Sequence, residues 1–191
     1  MLRVMLVDDS QKDVSLLKEG LQVAGYDVVC VALSAAALLE HVGEVEPDVI
    51  IIDAESPTRD TLEQLSIVSA RQPRPIVLFT EDRASATIQA AVKAGVSAYI
   101  VAGMQPERLQ PILEVAVARF EQERALRDEL RDAQQRLEDR KIVERAKGIL
   151  MKQKNLDEEE AYKLLRKLAM DRNRKLLDIA RQLIDVTDLL A

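Results

Sequence analysis

Apolar residues in this chain follow two rhythms that change over near residue 105. Before it, short β-branched runs at 4–7, 28–31, 49–52, 76–79 and 98–101 alternate with amphipathic stretches near 12–24, 35–43, 60–71 and 84–94. Three of the short runs are near-continuously apolar, as strands of a parallel sheet covered on both faces must be. Ser34 is placed to cap the second helix, and Gly25 and Gly95 to stop the first and fourth. Strand–helix alternation at this spacing predicts a five-stranded, parallel, doubly wound α/β domain over residues 1–120.

After Gln105 the pattern turns helical. Pro106 suits a first helical turn, Pro111 falls near the start, and no Gly or Pro follows until Gly148. One helix over 106–154 is expected, about 75 Å long at 1.5 Å per residue. Leu109, Leu113, Ala116 and Phe120 are spaced 4-3-4, and so are Leu126, Leu130, Ala133 and Leu137, but the two series slip out of phase near Glu123. Such a seam between charged flanks predicts a coiled coil over 106–140 with a local stammer. So polar a helix needs a partner, and a homodimer through it is expected, packing back onto its own domain being the alternative. Beyond it, Asn155 suits a left-handed helix end and Asp157–Glu160 a capping box. Ala161, Leu164, Leu165, Leu168 and Ala169 form one apolar stripe, and Leu176, Leu177, Ile179, Ala180, Leu183 and Ile184 another. With Ile142, Ala146, Ile149 and Leu150 they make a small all-α, three-helix domain over 134–191.

Charge separates the two parts further. Residues 1–135 carry 13 Lys and Arg against 22 Asp and Glu, whereas 140–181 carry 13 against 7. An acidic body with a basic tail points to nucleic acid at the tail alone. Charge by itself is equally compatible with a solvated helix face. The single cysteine, Cys30, excludes a disulfide framework and a Cys-rich zinc site, and its apolar setting reads as buried and inert. No apolar run reaches the roughly 18 residues of a membrane span. The first residues meet acid too early for a signal-peptide core, so a cytoplasmic protein without membrane contact is expected. His41, the only histidine, has no Ser or Cys partner motif and reads as a surface or half-buried residue. No nucleophile–base pair stands outside the acidic cluster described next, and the chain reads as not an enzyme.

Asp8 and Asp9 follow the first strand and Asp53 the third, so three carboxylates converge beyond the carboxyl ends of the strands, where such sheets bind ligands. They repel unless a hard cation such as Mg²⁺ sits among them or one takes a proton. Thr80 ends the fourth strand, where a hydroxyl can bond a phosphoryl oxygen. On Val7-Asp8-Asp9-Ser10, Ile52 through Asp60, Phe79-Thr80 and Gly95 through Tyr99, the chain resembles the receiver domains of bacterial response regulators. The resemblance implies Asp53 as phosphoacceptor, Asp8, Asp9 and Asp53 as metal ligands, and Thr80 and Tyr99 as switch residues. It breaks after the fifth strand, where receivers carry Lys–Pro and this chain has Ala102-Gly103. Without that cation, a modified Asp53 lacks a charge-assisted partner, and control by a partner protein is the favoured expectation.

Lys141, Arg145, Gly148 and Lys152, again spaced 4-3-4, share one face of the long helix. Glycine there costs about 1 kcal/mol relative to alanine, which suggests close approach of another helix or of a ligand backbone. Arg166, Lys167, Arg172, Arg174 and Lys175 form a second basic cluster. Glu144 through Met151, Glu160-Ala161-Tyr162, Leu165-Arg166, Ala169, Asn173-Arg174 and Asp178-Ile179-Ala180 strongly resemble the ANTAR domain over about 134–188. ANTAR domains bind paired small-loop hairpins in leader mRNA and prevent transcription termination. The resemblance implies Lys147 and Gly148 at an RNA-facing surface; charge and helix face add Arg145, Lys152 and Arg166. Tyr162 reads as core at the edge of its stripe, with stacking on an RNA base as the alternative. Among ANTAR response regulators the chain looks most like the NasT-type regulators of nitrate and nitrite assimilation, AmiR being more distant. In that group a solute-binding-protein-like sensor is thought to hold the regulator inactive. A DNA-binding response regulator, and an interaction module that binds no nucleic acid, remain the rival readings.

Overall fold

A computed structural model describes residues 1–8, 14–35, 38–101 and 105–190. They fall into two units, Met1–Arg124 and Ala125–Ala191. The first contains β1 (Arg3–Asp8), α1 (Val14–Val23), β2 (Asp27–Ala32), α2 (Leu38–Val45), β3 (Val49–Asp53), α3 (Arg59–Arg71), β4 (Ile76–Thr80), α4 (Ser85–Lys93) and β5 (Ala98–Val101). These strands form one parallel sheet in the order β2-β1-β3-β4-β5. This is the expected doubly wound architecture.

Strand periodicity sorts the side chains into two cores. Met5, Val7, Ile50, Ile52, Ile76 and Leu78 face Leu38 and Val42 of α2, Leu65 and Val68 of α3, and Ala91 of α4. Val4, Leu6, Val49, Ile51, Val77 and Phe79 face Leu21 of α1 on the other side. Every residue of β3 and β4 is buried, which is why their sequence shows no polar alternation. Gly25 and Gly95 stop their helices at φ +87° and +93°, as expected. The described part of α2 starts at Leu38, and the capping expected of Ser34 falls on residues 36 and 37, which lie outside the described residues. Cys30 is half-buried against the α2–α4 core, and burial pushes its thiol pKa up, with Glu44 adding to the effect.

One helix, α5, runs unbroken from Pro106 to Lys154 with Pro111 inside it. Its first apolar series corrects the coiled-coil reading. Leu109, Leu113 and Ala116 are buried against Val4, Leu6 and Phe79 and belong to the sheet's core. The second series is exposed: Leu126 and Leu130 at 59%, Leu137 at 55%. The phase slip near Glu123 is therefore no stammer in one seam. It falls where the helix stops covering the sheet, beside the division of the chain at Arg124.

The second unit packs the end of α5 with α6 (Glu158–Asp171) and α7 (Leu176–Leu190). Ala146 and Leu150 meet Ala161, Leu165 and Ala169 of α6 and Ile179, Ala180 and Ile184 of α7. Asn155 takes φ +52° after α5, and a complete capping box between Asp157 and Glu160 opens α6. The box satisfies two backbone N–H groups that the first helical turn leaves over. Among the described residues, no helix is long and apolar enough to cross a membrane.

Candidate functional site

Parallel register sets Asp8, the last residue of β1, directly beside Asp53, the last of β3. Both are buried, at 2% and 5% exposure. Asp9, the third carboxylate of the expected cluster, lies outside the described residues, as do Ala102 and Gly103. Among the described residues no group of three metal-ligating side chains forms. Two adjacent carboxylates at strand ends are nonetheless the hard oxygen donors that Mg²⁺ takes.

Thr80, at the end of β4, is buried and committed to the neighbouring loop. Its hydroxyl donates to the Glu55 carbonyl at 2.9 Å and accepts from the Asp82 N–H at 3.2 Å. Tyr99, half-buried on β5, donates its hydroxyl to the Asp82 carbonyl at 2.9 Å. Burial raises its pKa, and the Asp82 charge adds to this. Asp82 thus joins Thr80 and Tyr99, a link that sequence reasoning does not reveal. Its carboxylate accepts from the Ala84 N–H at 2.7 Å, the Ser56 hydroxyl at 2.8 Å and the Thr87 hydroxyl at 3.0 Å. The Ala84 N–H, then Ser56, hold its pKa below the usual carboxylate range. The network ties the loop after β4 to the loop after β3, the one that leaves Asp53.

The basic residues of the second unit separate by what holds them. Lys147 is buried, and its ammonium donates to Glu158 at 2.7 Å and to Glu144 at 2.9 Å. Those bonds, Glu158's first, raise the lysine pKa, and Lys147 in turn lowers that of Glu158. Rather than standing free on the surface, Lys147 fastens α5 to the start of α6. Glu144 is its i, i+3 neighbour on α5, whereas Glu158 comes from beyond a chain reversal. Arg145 sits at the surface, with one guanidinium nitrogen 2.8 and 3.1 Å from the two Asp188 oxygens. Both side chains are more than half exposed, so this pair exchanges at little cost. Lys152 and Arg166 are exposed and have no carboxylate within 4 Å among the described residues. A Cβ built on Gly148 would meet nothing within 4 Å, so the expected approach of another helix is absent. Tyr162 overturns its core reading, for it is 43% exposed while its neighbour Ala161 is fully buried.

Two family models match the chain: the response regulator receiver domain over residues 4–114 and the ANTAR domain over 131–184. The transcriptional regulatory protein PdtaR of Mycobacterium tuberculosis is 32% identical over 183 residues, covering 96% of this chain and 89% of that protein. The chain belongs to the ANTAR response regulators. A nitrate regulatory protein of Klebsiella oxytoca is 47% identical to this regulator over 57 residues, 30% of the regulator and 14% of that protein. The receiver domain of a modulated diguanylate cyclase from Desulfovibrio desulfuricans superposes with a TM-score of 0.57 at 22% identity, over 64% of the regulator and 98% of that chain. That likeness shows the sheet's fold. The family matches put a receiver-like fold upstream of an ANTAR unit, the arrangement in which the acidic pocket and the basic helices occur here.

Proposed function

We propose that this regulator is a cytoplasmic, non-enzymatic transcription antiterminator whose ANTAR unit binds paired hairpins in leader mRNA. The observation that carries the reading is the distribution of cations on the second unit. Lys152, Lys154, Arg166, Lys167, Arg172, Arg174 and Lys175 are all exposed, and none has a carboxylate within 4 Å among the described residues. In a chain of net charge −6, cations left unneutralised on one small unit suit a polyanion. Lys152, Arg166 and, after release from Asp188, Arg145 supply phosphate contacts; Gly148 leaves the helix surface low between them. Lys147 keeps the surface in shape by joining the two helices. Nitrate and nitrite assimilation genes are the proposed targets, on the likeness to the Klebsiella oxytoca protein.

Gel shifts with a two-hairpin leader RNA and a duplex DNA of the same sequence test this reading. RNA is expected to bind preferentially. The Lys152→Ala/Arg166→Ala double variant should lower the slope of log K against log salt by about 1.4, at about 0.7 for each phosphate that the variant no longer neutralises on single-stranded RNA. Equal competition by DNA, or an unchanged slope, refutes it.

The receiver-like unit we assign to control by a partner, a sensor resembling a solute-binding protein, rather than to a lasting phosphoryl group on Asp53. Support comes from Ala102 where receivers carry lysine, and from the Thr80 hydroxyl already bonded to Glu55. Asp8 and Asp53, with Asp9, are suited to hold Mg²⁺, which would supply charge neutralisation in the pocket. Incubation with acetyl phosphate is expected to leave no stable label; an Asp53-dependent label lasting through gel filtration overturns this assignment.

A further inference from the structure

The second unit contains a single aromatic residue, Tyr162. The chain's other aromatics all lie in the first unit, where Tyr26 and Phe79 are buried and Tyr99 is bonded to Asp82. Tyr162 is exposed, and neither it nor Arg166 makes a hydrogen bond or ion pair with any described residue. Tyr162 keeps 43% of its surface in water, so part of the side chain stays open to a ligand while Ala161 and Leu165 beside it are buried.

Its position on α6 follows from helix geometry. Glu158, one turn before Tyr162, reaches across to Lys147 of α5, so this edge of α6 borders α5. Arg166 and the exposed Met170 continue the same i, i+4 row. On α5, Gly148 lies one turn beyond Glu144, the other acceptor of Lys147, and therefore on the same border. The Lys147 clasp thus brings together an open helix surface at Gly148 and a row of ring, guanidinium and thioether.

We propose that Tyr162 is a stacking platform for one unpaired base of the bound RNA. Arg166 holds the phosphate next to that base, and the sugar–phosphate backbone crosses α5 at Gly148. The proposal rests on the RNA-binding reading and deepens it. An unpaired base is the fitting occupant because a ring face recognises a base only when that base is unstacked. An unneutralised guanidinium one turn away selects for an anion beside the base, which an apolar protein surface does not offer.

The test uses the full chain and an RNA pool of two-hairpin transcripts with randomised loops, enriched on the wild-type protein. Tyr162→Ala is expected to weaken binding of the enriched RNA by about 10-fold, and Tyr162→Phe by less than about twofold, since stacking needs the ring and not the hydroxyl. Unchanged thermal melting of both variants separates this from a folding effect. The chain has no tryptophan, so Tyr162→Trp supplies a unique fluorophore. Its emission should fall on adding the enriched RNA and hold on adding the same RNA with abasic loops. If Tyr162→Ala binds as tightly as wild type, or the tryptophan is not quenched within a complex that gel shifts detect, the stacking proposal fails and RNA binding stands. If the full chain enriches no RNA, both fail together.

Discussion

We propose that the exposed leucine series of α5 is a homodimer seam, and replacing Leu126, Leu130 and Leu137 together by glutamine is then expected to leave a monomer at micromolar concentration. Each leucine is more than half exposed on an α5 face whose other surroundings are charged. The 4-3-4 spacing with Ala133 is that of a two-stranded coiled-coil seam, and the earlier series on the same helix is already occupied because it fills the sheet's core. Full burial of a leucine side chain contributes about 1.5–3 kcal/mol, so covering the exposed half contributes about 1 kcal/mol. Six leucines in a symmetric pair then supply about 6 kcal/mol, and their loss should raise the dissociation constant by roughly 10⁴-fold at 1.4 kcal/mol per tenfold. Glutamine is chosen because its helix propensity is near that of leucine, which leaves the helix itself intact. Sedimentation equilibrium reads the result, and circular dichroism checks that helicity is retained. A wild-type chain that sediments as a monomer, or a triple variant that still dimerises, overturns the assignment. The consequence for RNA is specific: two hairpins held by two linked units bind with an avidity that a monomer lacks, so the variant should lose affinity for paired hairpins but not for one.

Gly95→Ala is expected to destabilise the first unit by about 2–5 kcal/mol, a large share of the roughly 5–15 kcal/mol that holds a domain folded. Two separate penalties combine. The backbone at Gly95 has φ +93°, a conformation that disfavours any Cβ by about 1–2 kcal/mol. The new Cβ would also lie 2.6 Å from Ser69 Cβ of α3 and closer still to its hydroxyl, an overlap of the kind that costs about 1–3 kcal/mol. Gly25 provides the control, since it has φ +87° with nothing within 4 Å of a built Cβ. Gly25→Ala should therefore show the backbone penalty alone, near 1 kcal/mol. Adding Ser69→Gly to Gly95→Ala should restore the steric part and leave the rest. Urea unfolding of the three variants beside the wild type reads these differences; equal losses for Gly95→Ala and Gly25→Ala would falsify the account. The position matters for the site because Gly95 turns the chain from α4 into β5, which carries Tyr99 to Asp82.

The parts of this molecule that were legible in the sequence are those set by local periodicity. The strands could be read because β3 and β4 are buried on both faces, leaving uninterrupted apolar runs. Asp8 and Asp53 could be placed because each ends such a run, and register does the rest. Periodicity does not say what covers an apolar stripe, so the two series on α5 looked like one interrupted seam when one lies on the sheet and the other in solvent. The stripe pattern places Tyr162 at the core edge, but one residue turns a helix by about 100°, which carries it to the surface beside the buried Ala161. Local sequence places Lys147 at the surface, since its acceptor Glu158 lies eleven residues away across the α5–α6 turn. Asp82 went unnoticed because its partners Ser56, Thr87 and Tyr99 come from three other parts of the chain.

The 4-3-4 run from Leu126 to Leu137 also sets a rule for changes in chain length. Each residue inserted or deleted within it turns the later leucines by about 100° about the helix axis, whereas a seven-residue change leaves a residual of only about 20°. A variant whose length differs there by anything but whole heptads divides one apolar stripe into two, and neither piece is long enough to hold a second helix.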